Sequence, residues 1–338
     1  MVLYPDLTRP PGVSLLGAVL CTMAFISFSS PSRAQALRNP PLMVLIWDWP
    51  FGRVLNLSSD ICAVHYGIEG CWLTHNRSLY GQADVVAFHH RELQRSRPHL
   101  PKPRPHPGQK WLWISLESPK HTQALAGWNG TEWNWVMSYR QDADIFVPYG
   151  KLVPRTSDTV EIPEKTGLVS WVTSNYHHTQ ERARMHRSLS KHIKIDVFGK
   201  ASRKRLCPDC LLPTISKYKF YLAFENSIHL DYISEKLWRN ALLAGAVPVV
   251  LGPPRANYQR FLPAEAFIHV DDFSSAKELA HFLTAMNETS YRRYYEWKRS
   301  YAVKLYDNWQ ERFCLICQHY PSLPKEKVYP SLERWFWN

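Results

Sequence analysis

The sequence predicts an α/β protein made of two Rossmann-like units that face a cleft. Strand-type apolar runs alternate with helix-period stretches in both halves of the chain. A length of 338 residues is long for one core and natural for two units. No repeat of about 20–50 residues is present, which argues against a solenoid. A hydrophobic fraction of 45%, with 14 Trp, 17 Tyr and 14 Phe, supplies two cores.

In the first half, LMVLI (42–46), VVAF (85–88) and WLWISL (111–116) are expected strands of one sheet. The proline-rich stretch 97–108 excludes helix and sheet and reads as a surface loop. Pro148, Gly150 and Pro154 interrupt any periodicity, so the connection between units is placed at 151–167. LVSWVT (168–173) then begins a second sheet, followed by a helix over 179–192 and the strand IKIDVF (193–198).

The stretch 224–252, FENSIHLDYISEKLWRNALLAGAVPVVLG, is the most informative. KFYLAF (219–224) is a buried strand ending at Glu225-Asn226. Tyr232, Glu235, Lys236 and Arg239 fall at i, i+3, i+4 and i+7 of a helix whose opposite face is Ile233, Leu237, Ala241 and Ala244. The helix stops at Gly245, and VPVVL (247–251) is the next buried strand, before the Gly252-Pro253-Pro254 turn. An acid, an amide, a tyrosine and a base thus crowd one strand-to-helix junction, where open sheets bind nucleotides and small anions.

A net charge of +12 suits nucleic acid, anionic lipid or anionic substrates, but no nucleic-acid-binding signature accompanies it. No H-E-x-x-H or Gly-x-Ser-x-Gly pattern supports zinc-protease or serine-hydrolase chemistry. The pairs His89-His90 and His177-His178 are adjacent and point apart. Asp142-Ala143-Asp144 imitates a metal-binding triplet, but two carboxylates do not define a cage.

The run 13–28 is uncharged and mostly apolar, short of the about 20 residues of a membrane span unless its flanks are counted. Ala34-Gln35-Ala36 makes a removable signal peptide the competitor. Asn-X-Ser/Thr sites stand at Asn56, Asn76, Asn129 and Asn287. Apart from Cys21, the cysteines come as Cys62 with Cys71, Cys207 with Cys210, and Cys314 with Cys317, which reads as disulfides of an oxidising compartment. Pairing is either local or between Cys62/Cys71 and Cys314/Cys317, stapling the C-terminus to the first unit. A zinc-stabilised binding protein is the rival, disfavoured by the long gap between CPDC and CLIC.

FENS, DYISEK and NALLAGAVPVVLG resemble the donor-binding motif of the α-1,3-fucosyltransferases, glycosyltransferase family 10. The resemblance extends to Trp47-Asp48-Trp49-Pro50-Phe51, FHHRE (88–92), LESP (116–119), DIFVPYG (144–150) and FIHVDDF (267–273), in the family's order. It implies a GT-B-like fold and metal-independent, inverting transfer of fucose from GDP-fucose, a co-substrate, to O3 of GlcNAc in type 2 glycans of glycoproteins and glycolipids, giving Lewis x-type structures. HHREL, GPPRANY and AFIHVDDFSSAKELAHFL resemble the members that act on sialylated lactosamine. It also implies a single-pass type II Golgi membrane protein: tail 1–12, span 13–30, stem 31–40, acceptor-binding unit 41–150, and donor-binding unit with C-terminal extension 168–338.

On this resemblance Glu117 is the general base. It ends a strand, and Trp111 and Trp113 are placed to desolvate it. Glu225 ranks second because it lies in the donor block. Arg182 and Lys236 neutralise the leaving diphosphate, while Glu235, Asn226, Tyr232 and Tyr221 complete the donor pocket. His90 and Arg91 stand at the acceptor side, and Arg91, Arg95 and Arg97 are the candidate cations for a sialyl carboxylate, with the fold of the acceptor loop deciding which of them reaches it. The alternative is a catalytically idle, lectin-like relative.

Overall fold

The computed structural model describes residues 40–337 apart from 58–59, 96–99, 102–103, 123–132, 156–158 and 208. The expected tail, span and nearly all of the stem lie outside them. Among the described residues no helix is long and apolar enough to cross a membrane.

The first half folds into β1 (Leu42–Ile46), β2 (Cys71–Thr74), β3 (Val85–His89), β4 (Lys110–Ser115), β5 (Trp135–Ser138) and β6 (Ile145–Phe146). All pair in parallel in the order β2-β1-β3-β4-β5-β6. Two helices, α1 (Ile61–Tyr66) and α2 (His90–Arg95), belong to this half. Its strands are buried on both faces because successive side chains alternate: Leu42, Val44 and Ile46 enter one core, Met43 and Leu45 the other.

β7 (Gly150–Pro154) opens the expected connection, which is therefore not a plain linker. The second sheet contains β8 (Gly167–Val172), β9 (Asp196–Phe198), β10 (Tyr218–Phe224), β11 (Val247–Leu251) and β12 (Ile268–His269), all parallel in the order β12-β11-β10-β8-β9. Helices α3 (Glu181–Leu189), α4 (Leu211–Ser216), α5 (Arg255–Tyr258), α6 (Ala276–Ala285) and α7 (Glu288–Arg293) accompany it. In both sheets the chain starts inside, steps to one side, then crosses back. The strand order thus reverses between β1 and β3 and between β8 and β10, and open α/β sheets bind ligands at that switch point.

The helix after β10 differs from expectation. Lys236–Leu243 is a π-helix with Glu235 as its N-cap, so Tyr232 lies ahead of it on an irregular segment and not on its face. Bonding from i to i+5 brings residues four and five apart to one side, which directs Glu235, Lys236, Arg239 and Asn240 into the same cavity. Gly245, at φ 76°, ends the helix in a conformation glycine adopts without strain.

The expected second unit, 168–338, does not hold together to its end. β13 (Tyr301–Leu305) pairs antiparallel with β7, and the chain then returns to the first sheet. Helix α8 (Trp309–His319) places Phe313 and Ile316 in the core on one face, and α9 (Leu332–Trp337) places Leu332 and Phe336 in the core on the other. Disulfides Cys62–Cys314 and Cys71–Cys317 lock this return, and Cys207–Cys210 closes a small loop. Local pairing within Cys62/Cys71 and Cys314/Cys317 is thereby corrected, and none of these thiols remains for zinc.

Candidate active site

The carboxyl edge of β10 carries a buried charge network. Glu225 accepts from the Ser234 backbone N–H at 2.7 Å and from Ser234 Oγ at 2.8 Å, and its carboxylate lies 3.0 Å from Lys236 Nζ. Lys236 also donates to Ser234 Oγ at 2.7 Å and to Glu235 at 3.2 Å. Burial raises the Glu225 carboxyl, with Lys236 opposing. Burial works against the Lys236 ammonium too, but Glu225 and Glu235 outweigh it and hold the ammonium above its ordinary value. Burial likewise opposes charge on Glu235, and Lys236 overcomes it, leaving that carboxyl below the ordinary range. Glu235 pairs with Lys236 rather than with Arg239, whose Nε donates to Asn240 at 3.1 Å.

Beside this network opens a cavity of about 470 Å³ at the β8/β10 switch point. Ser174, Asn175 and Asn226 line it from the strand ends, and Arg182, Lys200, Arg205, Lys236 and Arg239 surround it with positive charge against the single carboxylate of Glu235. Arg182 is buried in α3, held by Gln180 at 3.0 Å and by the Asn175 carbonyl. Lys200 and Arg205 were not foreseen as site residues. Their signal was the basic run KASRKR (200–205) just after an expected strand. Tyr221 belongs elsewhere: it is fully buried in the core beneath the π-helix, and its hydroxyl accepts from Asn240 at 3.2 Å.

The first sheet brings Glu117 close to the same charge network. Glu117 follows β4, and Tyr232, from the second half, donates to its Oε2 at 3.3 Å. Burial raises the Glu117 carboxyl; Lys236 lowers it, and Glu235 and Glu225 raise it further. Ser227 to Ser118 at 2.5 Å and Tyr149 to the Leu116 carbonyl at 2.5 Å fasten the Glu117 loop. His121, also unforeseen, is pushed below its ordinary value by burial and then by Lys120, Arg182 and Lys236.

At the end of β3, His90 is buried against His89, and burial pushes it well below its ordinary value. Its Nδ1 has no hydrogen-bond partner among the described residues. Arg91 lies over the Phe51 ring at 4.9 Å. The side chain of Arg95 and all of Arg97 fall outside the described residues. Asp142 is held by Arg140 at 2.8 and 2.7 Å. Asp144 is held by Lys327 at 2.6 Å and Tyr329 at 2.7 Å. Asn56, Asn76 and Asn287 are exposed, and Asn129 lies outside the described residues.

Two family profiles match the chain: "Fucosyltransferase, N-terminal" over residues 39–150 and "Glycosyltransferase family 10 (fucosyltransferase) C-term" over 162–335. The chain is 52% identical to human alpha-(1,3)-fucosyltransferase 7 over 326 residues, covering 96% of this chain and 94% of that protein. The rat protein of that name is 56% identical over 310 residues, covering 91% and 83%. Bovine alpha-(1,3)-fucosyltransferase 4 is 44% identical over 356 residues, covering 92% and 88%. A crystal structure of an α1,3-fucosyltransferase with GDP-fucose shares the fold at a TM-score of 0.55 and 16% identity, covering 85% of this chain and 91% of that one.

Proposed function

The chain belongs to glycosyltransferase family 10, the fucosyltransferases, and on that premise we propose that it transfers fucose from GDP-fucose to O3 of GlcNAc in type 2, preferentially sialylated, lactosamine glycans of glycoproteins and glycolipids. One observation carries the reading. Tyr232, from the second half, hydrogen-bonds Glu117 from the first, and this buried carboxylate stands near Lys236 and Glu235, which line the basic cavity.

In this reading the GDP diphosphate lies among Arg182, Lys200, Arg205 and Arg239, with Lys236 fixed by its two carboxylates. Glu117 takes the proton of the acceptor O3–H as that oxygen attacks C1 of fucose. The C1–O bond to the β-phosphate breaks on the opposite face, so the anomeric configuration inverts in one displacement. Charge growing on the departing phosphate meets cations already in place, which requires no reorganisation during reaction. Glu225 is a poor competitor for the base, because its oxygens are consumed by Ser234 and Lys236.

No metal is required in this mechanism, since Asp142 and Asp144 are committed to Arg140, Lys327 and Tyr329. A Golgi-lumenal, single-pass type II placement with the span at 13–30 fits the disulfides and the exposed sequons. The test is transfer from labelled GDP-fucose to sialylated and unsialylated type 2 and type 1 chains, with and without chelator. Product on O3 of type 2 chains in chelator supports the reading. Exclusive type 1 product would overturn the acceptor, and activity lost to chelation and restored by Mn²⁺ would overturn the metal-free mechanism.

A further inference from the structure

Away from the cleft, a cavity of about 750 Å³ lies between the segments flanking β12 and helices α6 and α7. Its walls include Phe267, Phe273, Phe282 and Tyr294, with Arg255 and Arg293 among the polar groups. The Phe282 ring lies tilted against Phe273 at a centroid distance of 5.0 Å and is still 37% exposed, so part of an aromatic face is left to solvent. Asn287 also lines this cavity and is the acceptor of the sequon Asn287-Glu288-Thr289. As the N-cap of α7, its Oδ1 accepts from the Ser290 N–H at 2.8 Å. The cap fixes the side chain and leaves Nδ2 as the attachment point.

We propose that this cavity seats the first N-acetylglucosamine of an N-linked glycan on Asn287, with a sugar face against the exposed Phe282 ring. The occupant is committed by covalent geometry, because a sugar on Asn287 begins inside the groove that Asn287 lines. A pyranose presents an apolar C–H face and a polar rim, which matches aromatic walls interrupted by a few polar groups. Attachment uses a polyisoprenyl diphosphate oligosaccharide. The Nδ2–C1 bond forms as the C1–O bond to the diphosphate breaks, and the amide proton is lost to base. The seated sugar then covers Phe282 and ties the end of α6 to the start of α7.

The test uses the enzyme secreted from mammalian cells, with glycopeptide mass spectrometry for occupancy and thermal unfolding for stability. Thr289→Ala removes the sequon while keeping the Asn287 cap, Thr289→Ser keeps both, and Phe282→Ser removes the ring while keeping the sequon. Asn287 is expected to be occupied. Thr289→Ala should lower the Tm by about 2–4 °C, the shift of a single modest interaction in a domain of this class, and Thr289→Ser should not. In the Phe282→Ser background Thr289→Ala should have no further effect, since neighbours sharing one contact are non-additive. An unoccupied Asn287, no effect of Thr289→Ala, or an equal effect in both backgrounds would each overturn the proposal.

Discussion

The two sheets share a strand order and differ in what they place at their carboxyl edges. The second sheet presents fixed charge: Glu225, Ser234, Lys236 and Glu235 are joined by bonds of 2.7 to 3.2 Å, with Arg182 and Arg239 at the same cavity. The first presents rings, with Phe51 5.4 Å from His89, His90 4.7 Å from His89, and Trp309 5.1 Å from His89. Glu117 stands at that edge as the base of the proposed mechanism. A nucleotide sugar carries the same diphosphate in every turnover, so preset charge suits it. A sugar acceptor offers faces and hydroxyls, which suit planes and a single tuned base.

The largest break of this contrast is Glu117→Gln, which keeps shape and removes the proton acceptor. GDP-fucose binding should survive while kcat falls by about 10²–10⁴-fold. An active Glu117→Gln with a dead Glu225→Gln would exchange the roles of the two edges. The same group sets the pH response. In the proposed mechanism Glu117 works deprotonated, and burial raises its pKa, so kcat/KM should fall, as pH drops, at values above the ordinary carboxylate range. An acid limb that persists unchanged in Glu117→Gln would assign it to another group.

Next is Lys236→Ala, which strands Glu225, whose side chain is 1% exposed, without its cation. Breaking a buried pair costs about 3–5 kcal/mol, read by denaturant unfolding, with donor KM raised and kcat lowered as well. Arg182→Ala should shift the same two kinetic constants. If either variant altered only acceptor KM, the charged edge would not be the donor's.

Disulfides sharpen the comparison from the stability side. Cys62–Cys314 spans 252 residues and Cys207–Cys210 spans 3. Removing the long staple as Cys62→Ser/Cys314→Ser should cost about 2–5 kcal/mol, and removing the short one less, because loop-closure entropy grows with loop length. Equal losses in thermal unfolding would count against that account. The smallest effect is acceptor choice: one exposed cation meeting a sialyl carboxylate is worth about 0.5–2 kcal/mol, a several-fold preference that added salt should erode. Equal rates for sialylated and neutral chains at low salt would remove it.

Local chemistry was legible where periodicity and strand ends define it. VVAF, WLWISL, KFYLAF and VPVVL are strands, and Glu117, Asn226, Glu235 and Lys236 gather at their carboxyl ends because sheet topology fixes where those ends point. Tyr221 sits in the core because alternation along β10 turns its ring inward under the π-helix, and the strand's period alone does not say which of its faces that helix covers. Lys200 and Arg205 are not distinguishable in the sequence, because a basic run looks like solvated surface until the fold brings a cavity to it.

The sequence by itself determined the α/β class, the buried strands, the strand-to-helix junction that carries the charge, and the carboxylate at the end of WLWISL, since these follow from side-chain period and backbone chemistry within a few residues. Only the tertiary structure decided that Cys62 and Cys71 meet Cys314 and Cys317, that the last thirty or so residues (306–337) return to both faces of the first sheet, that Tyr232 reaches Glu117, and that the helix after β10 is a π-helix. These depend on which distant surfaces exclude water together, and burial of apolar area carries no sequence label for its partner.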